Sequence, residues 1–173
     1  MDLMIDIEGL ATTPDTTILT IAAQEFNPLE RNSFGRDFYA RVTLESQEDR
    51  HIDEATLQWW STQPAVVRDE AFAEDNRLPL EQALQGLHKL AWQARRVWAQ
   101  GPTYDMNILE HAYKSRGMNL PWKFFNVRDS RTLMSLVPGL NKYPASHHAL
   151  EDCRRQILLL WDSLEYLKVR ELA

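Results

Sequence analysis

Acidic residues are uncommon in strands, yet Asp6 and Glu8 lie two apart in Leu3-Met4-Ile5-Asp6-Ile7-Glu8, whose apolar/polar alternation predicts a strand. The two carboxylates then share one face, with Ile5 and Ile7 on the other. So placed, they repel each other unless a cation or solvent screens them. A hard, oxygen-seeking divalent cation suits such a pair, and so does plain water at a solvated strand end. Asp105 follows a short apolar stretch and the Gly101-Pro102 turn at the start of a helical pattern, where it would serve equally as an N-cap. His147 stands five positions before Asp152 at the entry to the last helix. With His147 in the loop and Asp152 in the first turns, both can face one cavity. A solvated His147-His148 pair followed by acids that complement the helix dipole would look the same.

The elements that must position these groups follow from periodicity. Asp2 to Ile7, Thr17 to Phe26 and Phe38 to Leu44 predict three strands joined by short connections, which favours an antiparallel meander. Asp53 caps a helix through Trp60, and Pro64 starts another. Leu80, Leu84, Leu87 and Leu90 recur at helical spacing. Val97 to Gln100 reads as a buried strand, Asp105 opens a helix closed by Gly117, and Phe124 to Val127 reads as a fifth strand. Thr132 to Val137 predicts a short helix and His148 to Lys168 a long one. The expected class is α/β: a mixed five-stranded sheet, its first three strands antiparallel, flanked by helices. Trp98 and Trp161 belong to its core.

The chain has 173 residues, 44% hydrophobic and 25% charged, the size and composition of one globular domain. A single cysteine, Cys153, forms no internal disulfide, and no basic-then-apolar leader precedes Leu3, so a reducing, cytoplasmic setting is expected. The apolar runs are too short for a membrane span. Net charge is -6, but residues 86–131 carry eight basic residues against three acids, a local +5, whereas residues 45–85 hold ten acids and three basic residues. Two differently solvated faces explain this, and a nucleic-acid partner is compatible with it. Arg128 and Arg131 fit either reading.

Taken together and in order, Asp6-x-Glu8 on a first strand, Asp105 at a later strand-to-helix junction and His147-x-x-x-x-Asp152 before a carboxy-terminal helix resemble the DEDDh exonucleases. These are DnaQ-like 3′-to-5′ exonucleases, and the resemblance runs from Asp6 to Asp152. It looks closer still to the branch of exodeoxyribonuclease VIII-like enzymes of phages and prophages and exoribonucleases of the RNase AS type. Met4-Ile5-Asp6-Ile7-Glu8, Pro14-Asp15, Ile18-Leu19-Thr20-Ile21-Ala22-Ala23 and Thr56-Leu57-Gln58-Trp59-Trp60-Ser61-Thr62-Gln63-Pro64 carry that likeness.

The resemblance implies a ribonuclease-H-like fold forming one exonuclease domain over residues 1–173. It also implies two Mg²⁺ or Mn²⁺ ions held by Asp6, Glu8, Asp105 and Asp152, with His147 as general base. Such chemistry is sound: two ions assist an in-line phosphodiester displacement, and a neutral imidazole accepts the proton of the attacking water near neutrality. His148 competes for the base's role, but only His147 has the motif's spacing to Asp152. Gly9 and Leu10 would hold the terminal nucleotide, although many relatives have Thr where Gly9 stands, so a hydroxyl is missing. Of Trp59 and Trp60 one should be core and the other free to stack on a base; Gln63, Tyr104 and Asn107 are further candidates for substrate contact. The partner implied is a nucleic acid with a free 3′ end, and relatives allow a homodimer.

The leading expectation is thus a metal-dependent exonuclease acting on DNA, single-stranded by preference, with an exoribonuclease as the runner-up. A non-catalytic nucleic-acid or protein-binding module is the rival from another class, and the complete set of acids and base argues against it. A metal-free acid–base hydrolase built on Asp6 and Glu8 alone lacks any separate means of recognising substrate.

Overall fold

β1 (Asp2–Gly9) is the middle strand of a five-stranded sheet, and its alternation dictates how the layers stack. In a computed structural model, which describes residues 1–140 and 146–172, β1 pairs antiparallel with β2 (Ile18–Phe26), which pairs antiparallel with β3 (Phe34–Arg41). On its other side β1 runs parallel to β4 (Val97–Ala99), and β4 parallel to β5 (Val127–Asp129), giving the order β3-β2-β1-β4-β5. The helices are α1 (Glu54–Ser61), α2 (Ala65–Ala71), α3 (Leu80–Ala91), α4 (Pro102–Ser115), α5 (Ser130–Ser135) and α6 (Ala149–Tyr166). None of those described is long and apolar enough to cross a membrane.

Leu3, Ile5 and Ile7 point into a core shared with Leu84 and Leu87 of α3 and Ile108 and Ala112 of α4. Met4 points to the opposite layer, among Cys153, Ile157 and Trp161 of α6 and Trp98 of β4. Because strand side chains alternate, Asp6 and Glu8 continue the Met4 row toward the start of α6. Cys153 seats that helix: its thiol reaches the Met4 carbonyl at 3.6 Å. At the other end of the same row, buried Asp2 accepts from Arg96 Nε and Trp98 Nε1, both at 2.8 Å.

Several expected boundaries move, each for a physical reason. β3 begins at Phe34 and ends at Arg41, because pairing with β2 continues back to a hairpin closed by Asn27 N–H on the Ser33 carbonyl, while Val42 leaves to bridge Leu78. β5 is Val127–Asp129 and not Phe124–Val127; residues Phe124–Asn126 form a 3-10 turn whose phenyl rings are exposed. α4 begins at Pro102, after Gly101 in the left-handed region (φ 109°), so Asp105 lies inside the first turn and is not the N-cap. α5 starts at Ser130, capped by the Asp129 carboxylate. Asp53 does cap α1, accepting from Thr56 N–H.

Candidate active site

Four separate segments meet at the end of β1. β1 delivers Asp6 and Glu8, the first turn of α4 delivers Asp105, the loop at 146–148 delivers His147, and α6 delivers Asp152. All five line one open cavity of about 610 Å³. Asp105 is fixed by the Ile7 N–H, which donates to its Oδ1 at 3.2 Å. Asp6 accepts from Gln156 Nε2 at 2.6 Å. Asp152 accepts from three donors: Ser146 N–H at 3.0 Å, His147 N–H at 2.8 Å and Arg155 Nε at 2.9 Å. His147 itself adopts φ 56°, an unusual backbone for a residue with a side chain, held in place by that carboxylate. Its Nδ1 lies 3.9 Å from Glu8 Oε1.

The electrostatics are those of crowded anions. Burial, then the charges of Asp105, Glu8 and Asp152, pushes the Asp6 carboxyl well above its ordinary range. Burial pushes Glu8 up to about 8, with Asp152 and Asp105 adding to it. Asp105 rises to about 7 through burial, against the opposing pull of its backbone donors and Arg131. Such a cluster is costly without compensating positive charge. Glu8, His147 and Asp152 offer ligand atoms all within 4.8 Å of one another, and an oxygen-dominated donor set of this kind fits a hard divalent cation.

Beside the carboxylates a second cavity of about 570 Å³ is lined by Glu8, Gly9, Thr56, Trp59, Tyr104 and His147 among others. Trp59 is exposed and stands edge-on to the His147 ring, with centroids 5.0 Å apart. Trp60 is the core member of the pair, buried against Leu10, Leu19 and Phe72, its indole N–H on the Gly9 carbonyl at 3.1 Å. Gly9 is closely packed: a Cβ there would meet the Tyr104 hydroxyl at 3.0 Å and Thr16 Cγ2 at 3.1 Å, so a threonine would require these neighbours to give by a few tenths of an ångström.

Some expected contacts are not brought to the cavities. The β1–β2 register slips between Glu8 and Gly9, and the Leu10 side chain turns into the core at 1% exposure, lining neither cavity. Gln63 spends its amide on the Trp59 carbonyl. Asn107 is exposed outside both cavities, and Arg128 donates to the Phe125 and Val127 carbonyls. Gln156 and Arg155 were missed, although positions three and four after Asp152 on a helix necessarily share its face.

Comparison with known proteins decides what this arrangement belongs to. The family model described as "3'-5' exoribonuclease Rv2179c-like domain" matches residues 1–162. The chain belongs to this family. As a member it is a hydrolytic 3′-to-5′ exonuclease, and its substrate is a nucleic acid. Curated protein sequences give no match. Among solved structures, Exonuclease X in complex with 5′ overhanging duplex DNA is similar at TM-score 0.60, with 18% identity over 96% of this chain and 92% of that one. The nuclease domain of 3′hExo, a DEDDh family member bound to rAMP, follows at 0.59, with 12% identity over 95% and 91%. Cell-death related nuclease 4 reaches 0.54, with 12% identity over 95% and 64%. At these identities the likenesses establish the fold, which is ribonuclease-H-like and shared with DEDDh exonucleases.

Proposed function

We propose that this Rv2179c-like chain, acting as one catalytic domain over residues 1–173, removes nucleotides from the 3′ end of RNA. The observation that carries the reading is the convergence of four carboxylates and one imidazole on a single open cavity. Asp6, Glu8, Asp105 and Asp152 would hold two Mg²⁺ or Mn²⁺ ions. When bound, such ions supply Lewis-acid activation of water and stabilisation of the leaving 3′ oxygen.

The chain's own groups account for the remaining work. His147 accepts the proton of the attacking water, its ring held beside Glu8 and against Trp59. Ser146 and His147 N–H groups on Asp152 keep that ring from drifting. Trp59 offers an exposed aromatic face beside the carboxylates for the terminal base. Gly9 and Tyr104 line the same cavity. RNA is favoured over DNA, the sugar expected from sequence, by the family description.

The test uses matched 5′-labelled RNA and DNA oligonucleotides with free or blocked 3′ ends, with Mg²⁺, Mn²⁺ or EDTA. An RNA ladder shortening only from free 3′ ends and only with metal is the expected result; a DNA ladder alone would reverse the sugar assignment. In the same assay His147→Ala should lower kcat about 10²- to 10⁴-fold, the usual contribution of a positioned base. Trp59→Ala should act on KM, raising it about tenfold, because stacking on an aromatic is worth roughly 1–3 kcal/mol per base. Unchanged KM in that variant would remove Trp59 from the substrate path.

A further inference from the structure

The two cavities share Glu8, Tyr104 and His147 and otherwise differ in lining: one carries Gly9, Thr56 and Trp59, the other Gly101, Asp105, Arg131 and Asp152. With the terminal nucleoside on the Trp59 side, the mouth of the other cavity offers a path for the rest of the strand. That mouth is bordered by Gly101, the first turn of α4 and Arg131 at the start of α5.

Arg131 is placed there by unusual local structure. Gly101, at φ 109°, presents bare backbone, and a Cβ on it would stand 3.4 Å from Arg131 Nη2 and 3.5 Å from Nε. The Nε–Nη2 edge of the guanidinium therefore lies close against the glycine, anchored by Nη2 on the Gln100 carbonyl at 2.8 Å. A guanidinium carries five donors, and among the described residues no carboxylate comes within ion-pair distance of this one. Arg155, the other arginine of the cavity, is already committed to Asp152. α4 itself begins with no side-chain cap, so its positive dipole end opens on the same mouth.

We infer that Arg131 binds the substrate phosphate immediately 5′ to the scissile one, so that the strand threads from Gly101 and Arg131 across the carboxylates to Trp59. The inference rests on the exonuclease reading above and names a phosphate-binding group within that site. Arginine matches phosphate geometry through paired donors, and Arg131 lines the cavity with no ion pair to a carboxylate among the described residues.

A dinucleotide separates the contacts cleanly. With a 5′ hydroxyl its only phosphate is the scissile one; a 5′ phosphate adds the group that Arg131 would hold. The wild-type protein should prefer the 5′-phosphorylated dinucleotide by about tenfold in kcat/KM, the scale of one charge-assisted hydrogen bond at a solvated site. Arg131→Gln should reduce that ratio to near one, and Arg131→Lys should restore part of it. A ratio retained in Arg131→Gln, or absent in the wild type, overturns the inference.

Binding provides a readout independent of turnover. Titration of a labelled oligonucleotide by anisotropy in Ca²⁺, at several salt concentrations, should give a log K against log salt slope shallower by about 0.7 in Arg131→Gln, as expected for one lost phosphate contact on a single strand. An unchanged slope refutes the contact. Absence of hydrolysis with a normal slope difference would instead fault the exonuclease reading and leave Arg131 a phosphate contact.

Discussion

Asp105→Asn should abolish hydrolysis and stabilise the metal-free protein at the same time. The amide keeps the carboxylate's shape, and its oxygen can still accept the Ile7 N–H that fixes Asp105. What it loses is negative charge, so a role in holding divalent cations predicts a fall in activity on the order of 10³-fold or more. The stability effect has the opposite sign because the folded carboxyl is pushed from 3.8 to about 7 by burial. At pH 8, above that value, the folded state bears the full cost of an ionised buried group. Removing it should be worth a few kcal/mol, or on the order of 10 °C in Tm for a chain this size. Matched ladder assays and thermal melts in EDTA check both halves. Near-wild-type rates, or a variant that melts lower without metal, would remove Asp105 from the proposed site.

The second large effect joins pH to metal. Below about pH 4.5 Glu8 is protonated in both folded and unfolded chains and contributes no pH dependence. Between about 4.5 and 8 the unfolded chain has lost the proton that the folded chain retains, so the folded state binds more protons and stability falls as pH rises. Asp6 acts in the same sense, and so does Asp105 up to about 7. Glu25, Asp49 and Glu70, whose values are lowered in the fold, act oppositely and lose their contribution at more acid pH. Calorimetry in EDTA should therefore show Tm declining from pH 5 to pH 8 by an amount on the order of several degrees. Millimolar Mg²⁺ or Mn²⁺ should reverse the decline, with a larger gain at pH 8 than at pH 6, since the ions bind the deprotonated cluster. A Tm flat across this range, or unmoved by metal, would contradict both the charge crowding and its proposed remedy.

What could be read in the sequence tracks how local the determining physics is. The alternation of β1 gave its two faces directly, and with them the shared side of Asp6 and Glu8, because one strand suffices to set that geometry. The long apolar stripe of α6 was equally plain. β5 was misplaced because its three residues are strand only through pairing with Val97–Ala99, and the neighbouring phenylalanines imitate a buried run while lying exposed. Leu10 lines neither cavity because its side chain turns inward after a register slip that follows Glu8 and is invisible to periodicity. Asp105 looked like an N-cap because capping preference is a property of residue type; its actual partner, the Ile7 N–H, is 98 positions away.

Asp152 differs from the other acids in being bonded to the very loop that carries His147. The proposed ligand and the proposed base are consequently not independent parts that could be lost one at a time. Once position 152 changes, the histidine is released from its left-handed backbone, and further damage at 147 costs little more. The two positions should therefore show strong epistasis, with the double variant scarcely worse than Asp152→Asn alone.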